Sequence, residues 1–179
     1  GVYYMKIAKL IIGDFELPVT EEHVESVVSD LAIGKNHYAE VFDYIARNTI
    51  NVELLTSIIN TEVVSNETIK FLLENRSSDT NLWRSVISSD KVSELIEEGQ
   101  LIQLMEKSDA ISLEVAYYIE KYECCDIQKL TKWIIDNSSD YTVKHLAENG
   151  STPKKTLKKL LTHENTIISI AAKSNLDEW

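Results

Sequence analysis

Thr68-Ile69-Lys70-Phe71-Leu72-Leu73-Glu74-Asn75-Arg76-Ser77 and Thr142-Val143-Lys144-His145-Leu146-Ala147-Glu148-Asn149-Gly150-Ser151 are two copies of one pattern, 74 residues apart. Six of the ten positions are identical: Thr68/Thr142, Lys70/Lys144, Leu72/Leu146, Glu74/Glu148, Asn75/Asn149 and Ser77/Ser151. Three units of about 25 residues fit that offset, and internal periods of roughly 20–50 residues mark stacked-repeat architectures. The spacing predicts an all-α protein: a right-handed α-solenoid of about six short two-helix repeats, forming a single domain over residues 1–179.

The clearest unit is 141–165. Val143, Leu146 and Ala147 lie at i, i+3, i+4, one face of a short first helix. Asn149-Gly150 reads as its stop, with glycine taking a left-handed conformation. Ser151 or Thr152 then reads as the cap of a second helix, with Pro153 in its first turn. Leu157, Leu160 and Leu161 give that helix its apolar stripe. The alternation recurs along the chain. Phe42, Ile45 and Ala46 precede Leu55, Ile58 and Ile59. Ile69, Leu72 and Leu73 precede Trp83, Val86 and Ile87. A shorter copy has Val92, Leu95 and Ile96, then Leu101, Leu104 and Met105. Ala116, Ile119 and Glu120 precede Leu130, Trp133 and Ile134. Ile167 to Lys173 reads as a first helix with no second helix after it.

At the front, Tyr3, Ile7, Leu10 and Ile11 read as a degenerate first helix. Thr20 to Asp30, with Val24, Val27 and Val28, reads as its partner. Lys6-Ile7-Ala8 followed by Gly13-Asp14 also fits a small hairpin, and both readings stand. Helices of about 8–12 residues are marginal alone. Each must bury its stripe against a neighbour, so stability comes from interfaces between units.

The chain has 179 residues and two adjacent cysteines, Cys124 and Cys125. Neighbouring cysteines have Cα atoms too close for unstrained bridging, and no Cys/His spacing supplies four metal ligands. They read as small residues in a helix–helix turn, and a reducing, cytoplasmic location fits them. No apolar stretch is long enough to span a bilayer, and the acidic first thirty residues do not read as a signal peptide. Asn66, Asn75, Asn137 and Asn149 begin Asn-x-Ser/Thr triplets. They fall near helix ends, where Asn is favoured, and read as turn chemistry.

Net charge is −11, which argues against a general nucleic-acid binder, because phosphate contacts require Lys and Arg. The positive charge gathers late in the chain. Lys154, Lys155, Lys158 and Lys159 crowd one helix, Arg84 matches Lys158 at the 74-residue offset, and Lys132 matches Lys159 at an offset of 27. The simple reading is solvated helix faces. The sharper one is a partner-binding strip for an acidic peptide or a phosphate backbone.

Leu146-Ala147-Glu148-Asn149-Gly150-Ser151-Thr152-Pro153, then Leu157, Leu160-Leu161 and Ile170-Ala171-Ala172-Lys173-Ser174-Asn175, resembles the bacterial leucine-rich repeat variant, a HEAT-like α-solenoid family. The likeness covers about 67–90 and 141–175. Only Thr152-Pro153 keeps the family's Thr-Pro, and the 92–105 unit is short. The resemblance implies a binding scaffold and carries no shared activity. A second likeness, to HEAT-like DNA glycosylases that use Trp and Asp around a flipped base, is tested by Trp83 and Trp133. Both fall on apolar stripes and read as core.

Catalytic motifs are missing from the sequence: no Gly-rich phosphate loop, no Gly-x-Ser-x-Gly, no His-Glu-x-x-His. His23, His37, His145 and His163 stand apart from any sequence partner, and Glu21-Glu22 and Glu97-Glu98 read as solvated helix faces. The expectation is a protein without catalytic residues, cofactor or metal: a non-enzymatic protein–protein interaction scaffold of unknown partner. The alternative is an acidic DNA mimic that occupies a nucleic-acid enzyme, with paired acids at phosphate-like spacing; a HEAT-like DNA glycosylase comes third. A final expectation concerns the C-terminal edge. Ile167, Ile168, Ile170 and Trp179 read as an open apolar face, covered by a second copy, by further chain or by Trp179 folded back. Among these a homodimer or a longer parent chain is favoured over the Trp179 plug.

Overall fold

The computed structural model describes residues 7–12, 15–20, 39–61 and 64–179. By internal contacts the chain divides into two compact units, Gly1–Leu72 and Leu73–Trp179.

The first unit opens on an antiparallel pair of strands, β1 (Ile7–Ile12) and β2 (Phe15–Thr20), in the register Ile7↔Thr20 to Ile12↔Phe15. The front of the chain is therefore the hairpin of the two sequence readings and not a degenerate helix, and every other described element is helical, as the all-α expectation has it. The physical reason is visible in β2. Phe15, Leu17 and Val19 alternate with Glu16, Pro18 and Thr20, a period of two. Pro18, opposite Lys9, has no N–H to give a helix ladder, and a two-stranded ribbon tolerates it at an edge. Of the expected partner helix, Thr20 closes β2, and the remainder lies outside the described residues.

Helices follow: α1 (Ala39–Asn48), α2 (Val52–Ile59) and α3 (Asn66–Asn75). From there the chain is helical throughout: α4 (Thr80–Val86), α5 (Asp90–Leu95), α6 (Glu98–Lys107), α7 (Asp109–Tyr117), a 3₁₀ turn (Ile119–Tyr122), α8 (Ile127–Asn137), α9 (Asp140–Glu148), α10 (Lys154–Leu160) and α11 (Thr166–Asp177). Their starts are written in the sequence. Asn51, Asp79, Ser108, Asp126, Ser139 and Asn165 each accept a backbone N–H of the first turn through the side chain, satisfying donors that a helix leaves orphaned.

The two copies of the quoted pattern take the same local structure. Thr68 and Thr142, Leu72 and Leu146 are all fully buried. The match also extends upstream to Ser65 and Ser139. Ser65 Oγ accepts from Thr68 N at 3.2 Å, and Ser139 Oγ accepts from Thr142 N at 3.3 Å. Each serine N–H is in turn accepted by an aspartate of an earlier helix, Asp43 at 3.1 Å and Asp109 at 2.9 Å.

Within the second unit, successive helices pair in two series. One is α7 with α9 and α9 with α11; the other is α4 with α6, α6 with α8 and α8 with α10. Side chains tie the first series at both ends. Asp109 accepts from Ser139 Oγ and Thr142 Oγ1, at 2.7 and 2.9 Å, and Asp140 accepts from Asn165 Nδ2 at 2.8 Å. At the other end, Asn149 Nδ2 donates to the carbonyls of Ala116 and Tyr117, and Asn175 Nδ2 donates to those of Ala147 and Asn149. These amides occupy carbonyls that a helix C-terminus leaves open. In the second series the hydroxyls of Thr131 and Thr156 meet at 3.0 Å between α8 and α10. Trp83 is buried, and its Nε1–H donates to Arg76 O at 2.7 Å.

The joint between α9 and α10 differs from the sequence reading. Gly150 is not left-handed. Helix α9 instead ends because Asn149 turns extended, at φ −73° and ψ 122°. Thr152 caps backwards: its buried hydroxyl donates to Leu146 O at 2.6 Å, closing the end of α9 and leaving α10 without a side-chain cap. Leu161 lies one residue beyond α10 and is exposed, so the α10 stripe is Leu157 and Leu160 with Thr156.

Candidate interaction surfaces

Two of the basic positions are paired with carboxylates. Arg84, on α4, turns toward α7 and meets Glu114 at 4.0 Å. Lys132, on α8, is held by Asp136 one turn on, at 2.5 Å. The four lysines of α10 remain. Thr156, Leu157 and Leu160 are buried, so Lys154, Lys155, Lys158 and Lys159 are all left on exposed positions. Lys154 Nζ lies 4.9 Å from the centroid of the Trp179 ring, in the range of a cation–π contact.

The expected C-terminal edge also divides. Ile168 is 1% exposed and packs with Val143, Ala147, Leu157, Leu160 and Ala172. It belongs to the core and not to an open edge, because the stripe of α11 runs through Ile168, Ala172 and Asn175. Ile167 and Ile170 lie off that stripe and are 59% and 66% exposed. Trp179 is 58% exposed and does not plug the core.

Ile167 and Ile170 line a groove of about 370 Å³ between α9 and α11, with Ser174 beside them and Lys144 and Glu148 from α9. Lys144 and Glu148 pair at 3.3 Å. On the same helix, the His145 ring lies against Tyr141 and Tyr117, with centroids at 4.7 and 4.5 Å. Both tyrosines are exposed. His145 Nδ1 is 3.8 Å from Glu148 Oε2, and its buried Nε2 has no hydrogen-bond partner among the described residues. The exposed side of α9 thus carries Tyr141, Lys144 and Glu148 at i, i+3 and i+7, continued by Tyr117 on α7 and by the two isoleucines on α11. Ile167 and Ile170 were expected at an open apolar edge from the sequence, whereas Tyr141 was not singled out. Its signal was present: it is a large side chain placed off the buried stripe of α9.

His163 is spent locally, its Nδ1 accepting from Asn165 N at 3.0 Å. Cys124 and Cys125 are free thiols. Burial and the neighbouring Cys124 push the Cys125 thiol up to about 11, which keeps it protonated and unreactive near neutrality. Among the described residues no group of three or more His, Cys, Asp or Glu side chains could hold a metal ion, and no helix is long and apolar enough to cross a membrane.

The chain matches no family model, no curated protein and no solved structure.

Proposed function

We propose that this protein is a non-enzymatic protein–protein interaction scaffold, a HEAT-like α-solenoid whose α7–α9–α11 series grips a segment of a partner protein. The observation that carries the reading is the groove between α9 and α11, with exposed Tyr141, Ile167 and Ile170 around it. Repetition supports it. The same aspartate and asparagine ties recur from α7 to α9 and from α9 to α11, so the elements beneath the groove are held rigidly at both ends. A rigid helical platform with solvent-facing aromatic and aliphatic groups is suited to binding, since less freedom is lost on association.

The acidic DNA-mimic alternative is weakened by where the carboxylates are spent. Asp79, Asp90, Glu98, Asp136 and Glu148 are each paired with a cation of the chain, and Asp109 and Asp140 hold neighbouring helices. The glycosylase reading is weakened by Trp83, whose ring is in the core with its N–H already committed.

The test is a photo-crosslinking amino acid placed at Ile170 and, separately, at exposed Glu106, in the source cell. A protein adduct formed from position 170 and not from 106 supports the scaffold reading. Equal adducts from both positions, or adducts to nucleic acid, reject it.

A further inference from the structure

The lysines of α10 stand in a place that local physics disfavours. Lys154/Lys158 and Lys155/Lys159 are like-charge pairs at i, i+4, which weaken an isolated helix. Lys154 and Lys155 also occupy its first turn, where the helix dipole is already positive. Arg76, Arg84, Lys121, Lys129, Lys132 and Lys144 each have a carboxylate partner; among the described residues other lysines without one, such as Lys70 and Lys107, stand singly, and only α10 gathers four. Among the described residues no carboxylate lies within ion-pair distance of the four α10 lysines, although the protein carries a net charge of −11. Beside them stand two exposed apolar groups, Leu161 at the end of the helix and Trp179 under Lys154.

We propose that α10, with Trp179 and Leu161, is the docking surface for an acidic segment of a protein partner, one that brings about four carboxylates beside a large apolar side chain. Charge complementarity selects the acid. The exposed tryptophan selects the apolar anchor, because Trp is the residue type most enriched where binding energy concentrates. The choice of a peptide segment over nucleic acid or an anionic bilayer follows from extent. Duplex DNA and membranes carry negative charge far beyond one two-turn helix, and would face the remaining acidic surface. A short acidic segment meets α10 alone. This surface shares no residue with the groove between α9 and α11, so it goes beyond that reading and stands or falls separately.

The test uses the full chain and fluorescence anisotropy. The probes are a fluorescein-labelled peptide with four glutamates flanking one phenylalanine, its glutamine counterpart, labelled duplex DNA, and vesicles of phosphatidylserine and phosphatidylcholine. Binding is expected for the glutamate peptide alone. It should fall about tenfold or more in Lys155→Glu/Lys159→Glu, several-fold in Trp179→Ala, and steeply with salt. The control Lys70→Glu/Lys107→Glu and the groove variant Ile170→Lys should bind as wild type. Should the charge reversal disturb the circular dichroism spectrum, Lys155→Gln/Lys159→Gln carries the comparison. No binding of the glutamate peptide overturns the proposal. So does equal loss in the control, or tighter binding of DNA or vesicles than of the peptide.

Discussion

Asn149 shows how much a single side chain does in this protein. Its backbone leaves the helical region and ends α9, its Oδ1 accepts from Ser151 N at 2.9 Å, and its amide holds the end of α7. Asn175 repeats the last role for α9 and is 7% exposed. Asn175→Ala uncovers one buried and one part-buried carbonyl and is expected to cost about 1–3 kcal/mol in urea unfolding; a shift near zero would mean that water replaces the amide without loss. Leu72 and Leu146 are fully buried at matching positions, so each Leu→Ala is expected to cost about 2–5 kcal/mol. Lys144→Ala loses one exposed ion pair and should be nearly neutral. Asp109 supplies a pH signature. Burial raises its pKa, but hydrogen bonds from Ser139 Oγ, Ser139 N and Thr142 outweigh that and hold it below the ordinary value. A lowered folded-state pKa contributes stability that is present above the unfolded value, about 3.9, and is lost as pH falls through the folded one. The stability gap between wild type and Asp109→Asn should therefore be widest near neutrality and close in acid. A gap that stays constant down to about pH 3 contradicts this account.

Between elements, the decisive contacts are those that join a helix to the next of its series. Thr131 Oγ1 donates to Ile127 O at 2.8 Å and meets Thr156 Oγ1 at 3.0 Å, a buried polar bridge from α8 to α10. In a double-mutant cycle, Thr131→Val and Thr156→Val should couple by about 0.5–1.5 kcal/mol, whereas additive losses would show two independent sites. Helix α11 offers a sharper contrast on adjacent faces. Ile168 is in the core and Ile170 faces solvent. Ile168→Lys places an unpaired charge in an apolar cluster and should abolish the folded state or nearly so. Ile170→Lys should unfold at the wild-type midpoint. Light scattering on Ile170→Lys is then the clean test of self-association through this helix: a wild-type dimer dispersed by it would identify the isoleucine face as a contact between copies, and a wild-type monomer rejects that contact.

For the molecule as a whole, charge governs what can approach it. With net charge −11 and Arg84 and Lys132 already paired, no basic surface large enough to grip a duplex remains on the described residues. Gel shift at about 150 mM salt is expected to show no sub-micromolar complex with duplex DNA; such a complex would sink the scaffold reading and revive the glycosylase one.

The repeated pattern, the helical character from Ala39 onward and the buried stripes of Ile69/Leu72 and Val143/Leu146 were legible in the sequence. All are local: a 3.6-residue period needs no distant partner. Tertiary structure alone decided the rest. The hairpin displaced a helix because a short apolar run with two or three good matches fits both periods, and pairing with Phe15–Thr20 settled Ile7–Ile12. Thr152 caps backward because the carbonyl of Leu146 lies within reach only once the chain has turned. Arg84 is paired because Glu114, thirty residues away in sequence, is its neighbour in space. The lysines of α10 stayed exposed because, among the described residues, nothing acidic was folded against them. Which charges cancel and which face outward depends on contacts between distant segments, and no one-dimensional pattern carries that information.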